Sequence, residues 1–152
     1  MSGPGVWVAT VWADRDYHEL LLARQDPGQP AAVGPGDFPA GLGPREVVLS
    51  TEEVRIGRAE GADGGDVGAL EIDLSGPPRD PGVSHLHAVL LALHAERWVV
   101  LDAGSTNGTT VNYAEEPLAR HTPQPLEAGD HVHVGAWTTI TVDRRPAGSS
   151  GG

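Results

Sequence analysis

The sequence predicts an all-β protein, with two antiparallel sheets packed face to face. Three observations point there. Short segments rich in Val, Ile, Thr and Trp recur along the chain, and these residue types suit a pleated, half-buried surface. Turn signals separate them at nearly regular spacing, the pattern of a sandwich. The chain also carries 21 glycines and 13 prolines among its 152 residues, so loops must be a large part of it.

The elements follow in order. GVWVATVWA (5–13) is apolar at both parities, so a strand here is expected to be covered on both faces. DRDYHELLLARQ (14–25) fits a short helix or a strand, and both stay open. The stretch 26–44 holds five prolines and five glycines and predicts a long irregular loop. REVVL (45–49) reads as a strand, STEE as a turn, and VRI as a second strand ending at Gly57 and Arg58. AEGADGGDVG is an acidic loop. ALEIDL alternates, with Leu70, Ile72 and Leu74 on one face and Glu71 and Asp73 on the other. SGPPRDPG is a loop with three prolines. SHLHAVLLALH could be drawn as a helix, but its place between strands favours a strand, with AERWVVLD as its neighbour. TTVN is short, HTPQPLEAGD is a loop, and HVHVGAWTTITV makes two strands around Gly135. DRRPAGSSGG reads as a solvated tail. The count is about ten strands. The predicted organisation is one domain over 1–143, with a core over 45–142, an N-terminal strand 5–13 joining it, a Gly/Pro-rich loop 26–44, and a flexible tail 144–152.

Composition narrows the function. No cysteine is present, which excludes a disulfide framework and a thiolate zinc site. No apolar run approaches a membrane span and no signal segment opens the chain, so a soluble, cytoplasmic protein without membrane contact is expected. The formal charge of -11 opposes nucleic-acid binding, which needs a basic footprint. All ten basic residues are arginine; with the abundance of Ala, Gly and Pro, this points to a bacterial genome of high G+C content.

Three reversals carry the polar chemistry. IGR (56–58) ends a strand, VSHLHA (83–88) enters one, and LDAGSTNGTTVN (101–112) joins two. Strand ends of an antiparallel sandwich can gather at one edge. Together these offer a fixed cation (Arg58), hydroxyls (Ser84, Ser105, Thr106), an amide (Asn107), an imidazole (His85) and backbone N–H groups. Such a donor-rich cup suits an anion with several acceptor oxygens, and it lacks a nucleophile–base pair of suitable spacing.

The blocks IGR, S-x-x-H and STNGT-x-VN, closed by L-x-x-GD-x-V-x-x-G over 126–135, resemble the signature of the forkhead-associated (FHA) domain, in order and approximate spacing, across at least 47–142. The resemblance implies a β-sandwich of about eleven strands that binds phosphothreonine peptides through loops at one edge. It implies that Arg58 pairs with phosphate oxygens, that Ser84 and Thr106 donate hydroxyl hydrogen bonds to them, and that Asn107 fixes the peptide backbone. Gly57 and Gly108 allow tight backbone paths, and His87 braces the loops from behind. His85 stands where family members commonly carry Arg, Lys or Asn. A protonated imidazole there adds charge, so affinity is expected to rise as pH falls from about 8 toward roughly 6.5 and to fade below about 6, where phosphate titrates.

The implied function is a non-catalytic phosphopeptide-recognition module of Ser/Thr protein kinase signalling, monomeric as an isolated domain, with no cofactor and no metal. The runner-up is a phosphorylation-independent interaction scaffold with the same fold. A hydrolase reading fails on GVSHL, where Leu86 replaces the second glycine of a nucleophile elbow. His131 and His133, like His85 and His87, alternate on a strand and read as solvated rather than metal-binding. Trp7, Trp12, Trp98 and Trp137 read as packing residues. The loop 75–83 and the acidic loop 60–66 are expected to wall the peptide groove, the acidic one favouring basic neighbours of the phosphothreonine.

Overall fold

The computed structural model describes residues 6–24, 39, 43–58, 70–74, 80, 83–93, 97–105 and 107–145. In chain order these form β1 (Val6–Ala13), α1 (Arg15–Arg24), β2 (Arg45–Val48), β3 (Glu53–Gly57), β4 (Ile72–Asp73) and β5 (Leu86–Leu93). There follow β6 (Arg97–Asp102), β7 (Thr109–Val111), β8 (Gln124–Leu126), β9 (His131–Val134) and β10 (Thr138–Arg145). One sheet has the order β2-β1-β10-β9-β7 and the other β4-β3-β5-β6-β8. Every neighbouring pair is antiparallel except β3 with β4. The all-β sandwich is as the sequence predicts, with ten strands among the described residues.

Period-two alternation builds the core. β1 contributes Trp7, Ala9 and Val11, β3 Val54 and Ile56, β5 Ala88 and Leu90, β9 Val132 and Val134, and β10 Ile140 and Val142. Ile56, Leu90 and Ile140 are fully buried, so truncating any of them to alanine costs about 2–5 kcal/mol. Val8, on the opposite parity of β1, is also buried, which matches the two-faced apolarity of that strand. Trp7, Trp98 and Trp137 are buried and Trp12 is half-buried, as packing residues should be.

Several readings need correction. The ambiguous segment after β1 is a helix, started by Asp14, whose Oδ1 accepts the Tyr17 N–H (3.2 Å). A short carboxylate side chain satisfies one of the orphan donors of a first turn in this way. PQPLE, read as loop, contains β8, because Leu126 is buried and pairs with Trp98. The alternation in ALEIDL yields only the two residues of β4. β10 runs on to Arg145, pairing Arg144 and Arg145 with Trp7 and Val6, so the ladder enters the segment read as tail. Most of the loop 26–44, all of 59–69, and 146–152 lie outside the described residues.

The outer face of the first sheet is sealed at one end by α1. Asp14 Oδ2 accepts the Tyr113 hydroxyl (2.6 Å) and the Thr139 hydroxyl (2.8 Å). Tyr113 N–H donates to His133 Nε2 (2.9 Å), so the ring proton sits on Nδ1 and faces Thr139 Oγ1 (2.8 Å). Tyr17 stacks on the same imidazole, centroids 4.7 Å apart. His133 is therefore not a solvated strand histidine: it is wholly buried. Burial pushes it down to about 4, since the pull of Asp14 toward the charged form is the smaller effect and His131 opposes it.

Candidate functional site

The first reversal is built around Gly57. The β3–β5 register shifts between Ile56 and Gly57, and a Cβ at Gly57 would lie 1.9 Å from the His85 carbonyl oxygen. Only glycine permits that approach. Arg58 N–H then donates to His85 O (3.1 Å), and Leu74 N–H to Gly57 O (2.7 Å). Arg58, half-buried, is thus fixed beside the chain that carries Ser84.

The second reversal enters β5. Val83 is buried, while Ser84 and His85 are half-buried. Ser84 N–H donates to His87 Nδ1 (3.1 Å). With Nδ1 the acceptor, Nε2 carries the proton and donates to Gly108 O (2.9 Å). His87 is wholly buried. Burial pushes its pKa below the ordinary value, outweighing the Gly108 bond and the fields of Asp102 and Asp80. A neutral imidazole with both nitrogens committed to backbone groups therefore joins the second reversal to the third.

The third reversal hangs on Asp102, which is 2 % exposed. Its carboxylate accepts Gly104 N–H (3.0 Å), Ser105 N–H (3.1 Å), the Ser105 hydroxyl and the Thr109 hydroxyl (2.7 Å). Burial pushes this carboxyl up, but the bonds from Ser105, Thr109 and Gly104 outweigh it and hold it below the usual range. Ser105 Oγ in turn accepts Gly108 N–H (2.9 Å). Gly104 and Gly108 adopt φ of 91° and 88°, and a Cβ on Gly108 would meet Pro117 at 3.0 Å. Asn107 is left exposed at the tip.

The hydrogen-bonded segments thus bring Gly57, Arg58, Ser84, His85, His87 and Gly108 together, with Asn107 adjoining. Thr106 lies outside the described residues. Ser105, read as a donor to a ligand, is buried and spends its hydroxyl on Asp102. Asp102 was missed as a site-building residue. Its signal was present in the sequence: an aspartate two and three residues before Gly and Ser can accept their backbone N–H groups in a local turn.

A model of the FHA domain matches residues 54–135, more than half of the chain. The chain belongs to the FHA domain family. Solved structures agree in fold. The FHA domain of an Arabidopsis thaliana hypothetical protein is 22% identical at a TM-score of 0.58, covering 99% of this chain and 93% of that one. The yeast splicing factor Pml1 is 14% identical at 0.60, covering 92% and 80%. Mycobacterium tuberculosis EmbR, solved in complex with a low-affinity phosphopeptide, is 27% identical at 0.50, covering 69% of this chain and 23% of that one. No curated protein sequence matches the chain closely enough to count as a relative.

The FHA edge of this chain is a backbone scaffold tied by buried side chains, with half-buried and exposed polar residues on top. His87 cannot serve as a base for Ser84 in this arrangement, because its Nδ1 takes the Ser84 backbone N–H. Among the described residues, no group of three His, Asp or Glu side chains could hold a metal ion, and no helix is long and apolar enough to cross a membrane.

Proposed function

We propose that this FHA domain binds phosphothreonine-bearing peptides at the edge formed by the three reversals. The observation that carries the reading is the His87 bridge, which locks the Ser84 and Gly108 backbones into one unit beside Arg58. In this reading Arg58 pairs with phosphate oxygens, Ser84 and Thr106 donate hydroxyls, His85 adds a donor, and Asn107 holds the peptide backbone. The phosphopeptide complex of EmbR supports it. The partner is then a substrate of a Ser/Thr protein kinase, and the chain recognises it without catalysis.

Magnitudes set what else is needed. A hydrogen bond to a charged group contributes roughly 1.5–3 kcal/mol, so four give about 6–12 kcal/mol. Association and ordering cost roughly 4–15 kcal/mol. Residues flanking the phosphothreonine must therefore contribute to affinity. The methyl group that separates threonine from serine is worth about 0.8 kcal/mol when buried, near fourfold.

The test is a titration of one peptide set bearing phosphothreonine, phosphoserine or plain threonine against wild type and Arg58→Ala. Binding that requires phosphothreonine and Arg58 supports the reading. Equal binding of the plain peptide makes the chain a phosphorylation-independent scaffold, and peptide turnover makes it an enzyme. The His85 contribution is separable: His85→Ala should weaken the phosphothreonine peptide less than Arg58→Ala does at the same pH.

A further inference from the structure

The segment that presents Ser84 has two roots. One is His87, on its C-terminal side. The other is Asp80, whose side chain is 2 % exposed. Its carboxylate crosses to the opposite sheet, at the turn between β9 and β10. There it accepts Ala136 N–H with both oxygens (2.8 and 3.1 Å), Trp137 N–H (3.1 Å) and the Thr138 hydroxyl (2.8 Å). Its own carbonyl accepts Val83 N–H (3.3 Å). Val83 is buried in the core, and Ser84 follows it directly.

The turn is shaped to receive this carboxylate. Gly135 has φ of 67°, and a Cβ there would lie 2.6 Å from both Asp80 oxygens and from Val83 Cγ2. The last glycine of the FHA signature therefore leaves room for the root of the Ser84 segment. The other side of the same turn is gripped by α1 and its cap. Tyr17 OH donates to Gly135 O (2.9 Å), His18 Nδ1 bonds Ala136 O (3.2 Å), and Asp14 N–H donates to Trp137 O (2.8 Å). A buried carboxylate that loses its donors is strongly unfavourable, so the turn and Asp80 fix each other.

We propose that Asp80 is a positioning residue for Ser84: by clamping the β9–β10 turn of one sheet, it sets where the other sheet presents the serine. The inference rests on the reading of this edge as the phosphothreonine site. It follows that groups on β10 that touch no ligand control binding.

Asp80→Ala strands several donors at once and risks unfolding, so the informative variant is Thr138→Val, which removes one hydroxyl from Asp80 at constant shape. Thr141→Val is the matched control. It removes a hydroxyl from the same strand that serves Trp12 and His131 instead. Two readouts are taken, with thermal midpoints recorded for both variants. These are affinity for a phosphothreonine peptide bound by wild type, and hydrogen exchange of the Ser84 amide in the free protein. Thr138→Val should weaken the peptide at least threefold and speed Ser84 exchange at least tenfold relative to Thr141→Val. Equal values in the two variants overturn the proposal. If wild type binds no phosphothreonine peptide, the functional reading fails by itself. The exchange comparison then decides alone: faster Ser84 exchange in Thr138→Val upholds the coupling, and unchanged exchange overturns it.

Discussion

Two places in this molecule use the same device to different ends. At the site edge, buried His87 accepts a backbone N–H on one ring nitrogen and donates a hydrogen bond to a carbonyl from the other, beside the Asp102 carboxylate. On the outer face of the first sheet, buried His133 takes the Tyr113 N–H and faces Thr139, beside the Asp14 carboxylate. The difference lies in what is being held. His133 locks a helix and a turn onto a sheet, and the polar groups around it face one another. His87 locks two loops whose outer residues, Ser84, His85 and Asn107, are half-buried or exposed. The comparison teaches that a buried histidine is a structural tie in both places, and that function comes from what the tied backbone displays.

The largest effect that would break the comparison is at His87. His87→Ala takes this partner from the half-buried Ser84 N–H and Gly108 carbonyl, at about 1–3 kcal/mol each at most, and should lower stability and abolish phosphopeptide binding together. His133→Ala should cost a similar amount in urea unfolding yet leave peptide affinity within about twofold. Arg58→Ala should do the reverse. Loss of one charged hydrogen bond is worth roughly 1.5–3 kcal/mol, or about 10–150-fold in affinity by calorimetry, with stability changed by less than about 1 kcal/mol.

Acid should act on the two ties in the same direction. A histidine whose folded pKa lies below its unfolded value contributes stability that is complete above the unfolded value. That stability is lost as pH falls through the window between them. For His133 the window runs from 6.5 down to about 4, a loss of about 3 kcal/mol when complete. His87 adds a loss of the same sign, because its pKa is also lowered. Urea midpoints should stay level from pH 7.5 to about 6.5 and fall from there to pH 4.5, and His133→Gln should flatten part of that slope.

Asp102 adds to the same acid loss, because its carboxyl is held below the usual range and is protonated as pH falls. Thr109→Val removes one donor to its carboxylate and should cost about 1–2 kcal/mol, with a smaller loss of peptide affinity than at His87. The smallest effect is expected at the Glu53–Arg55 ion pair, whose side chains are 49% and 38% exposed respectively. Glu53→Gln should change stability by no more than about 0.5 kcal/mol, a baseline for surface changes.

What was legible in the sequence follows from the range of each interaction. Strands such as β3, β9 and β10 could be read because their alternation is local, and β5 and β6 because they lie between other strands. The three reversals could be read because glycine positions and polar residues recur in a recognisable order. Helix α1 stayed ambiguous because Leu20, Leu21 and Leu22 are consecutive and show no helical period, though Asp14 offered a cap. β8 was hidden by Pro125 and the preceding Pro123, and exists because Leu126 finds Trp98. The ties were the least legible part. Asp80 and Asp14 look like loop acids until the topology sets them against residues 136–139. His133 looks solvated until α1 covers it.

Phosphothreonine recognition at the three reversals is tested by the map of backbone amide shifts when a phosphothreonine peptide is added to the labelled protein. The largest changes should fall on 57–58, 83–87 and 104–108, and the unphosphorylated peptide should produce none. Changes centred on α1 and the His133 face, or identical changes with the unphosphorylated peptide, would contradict it.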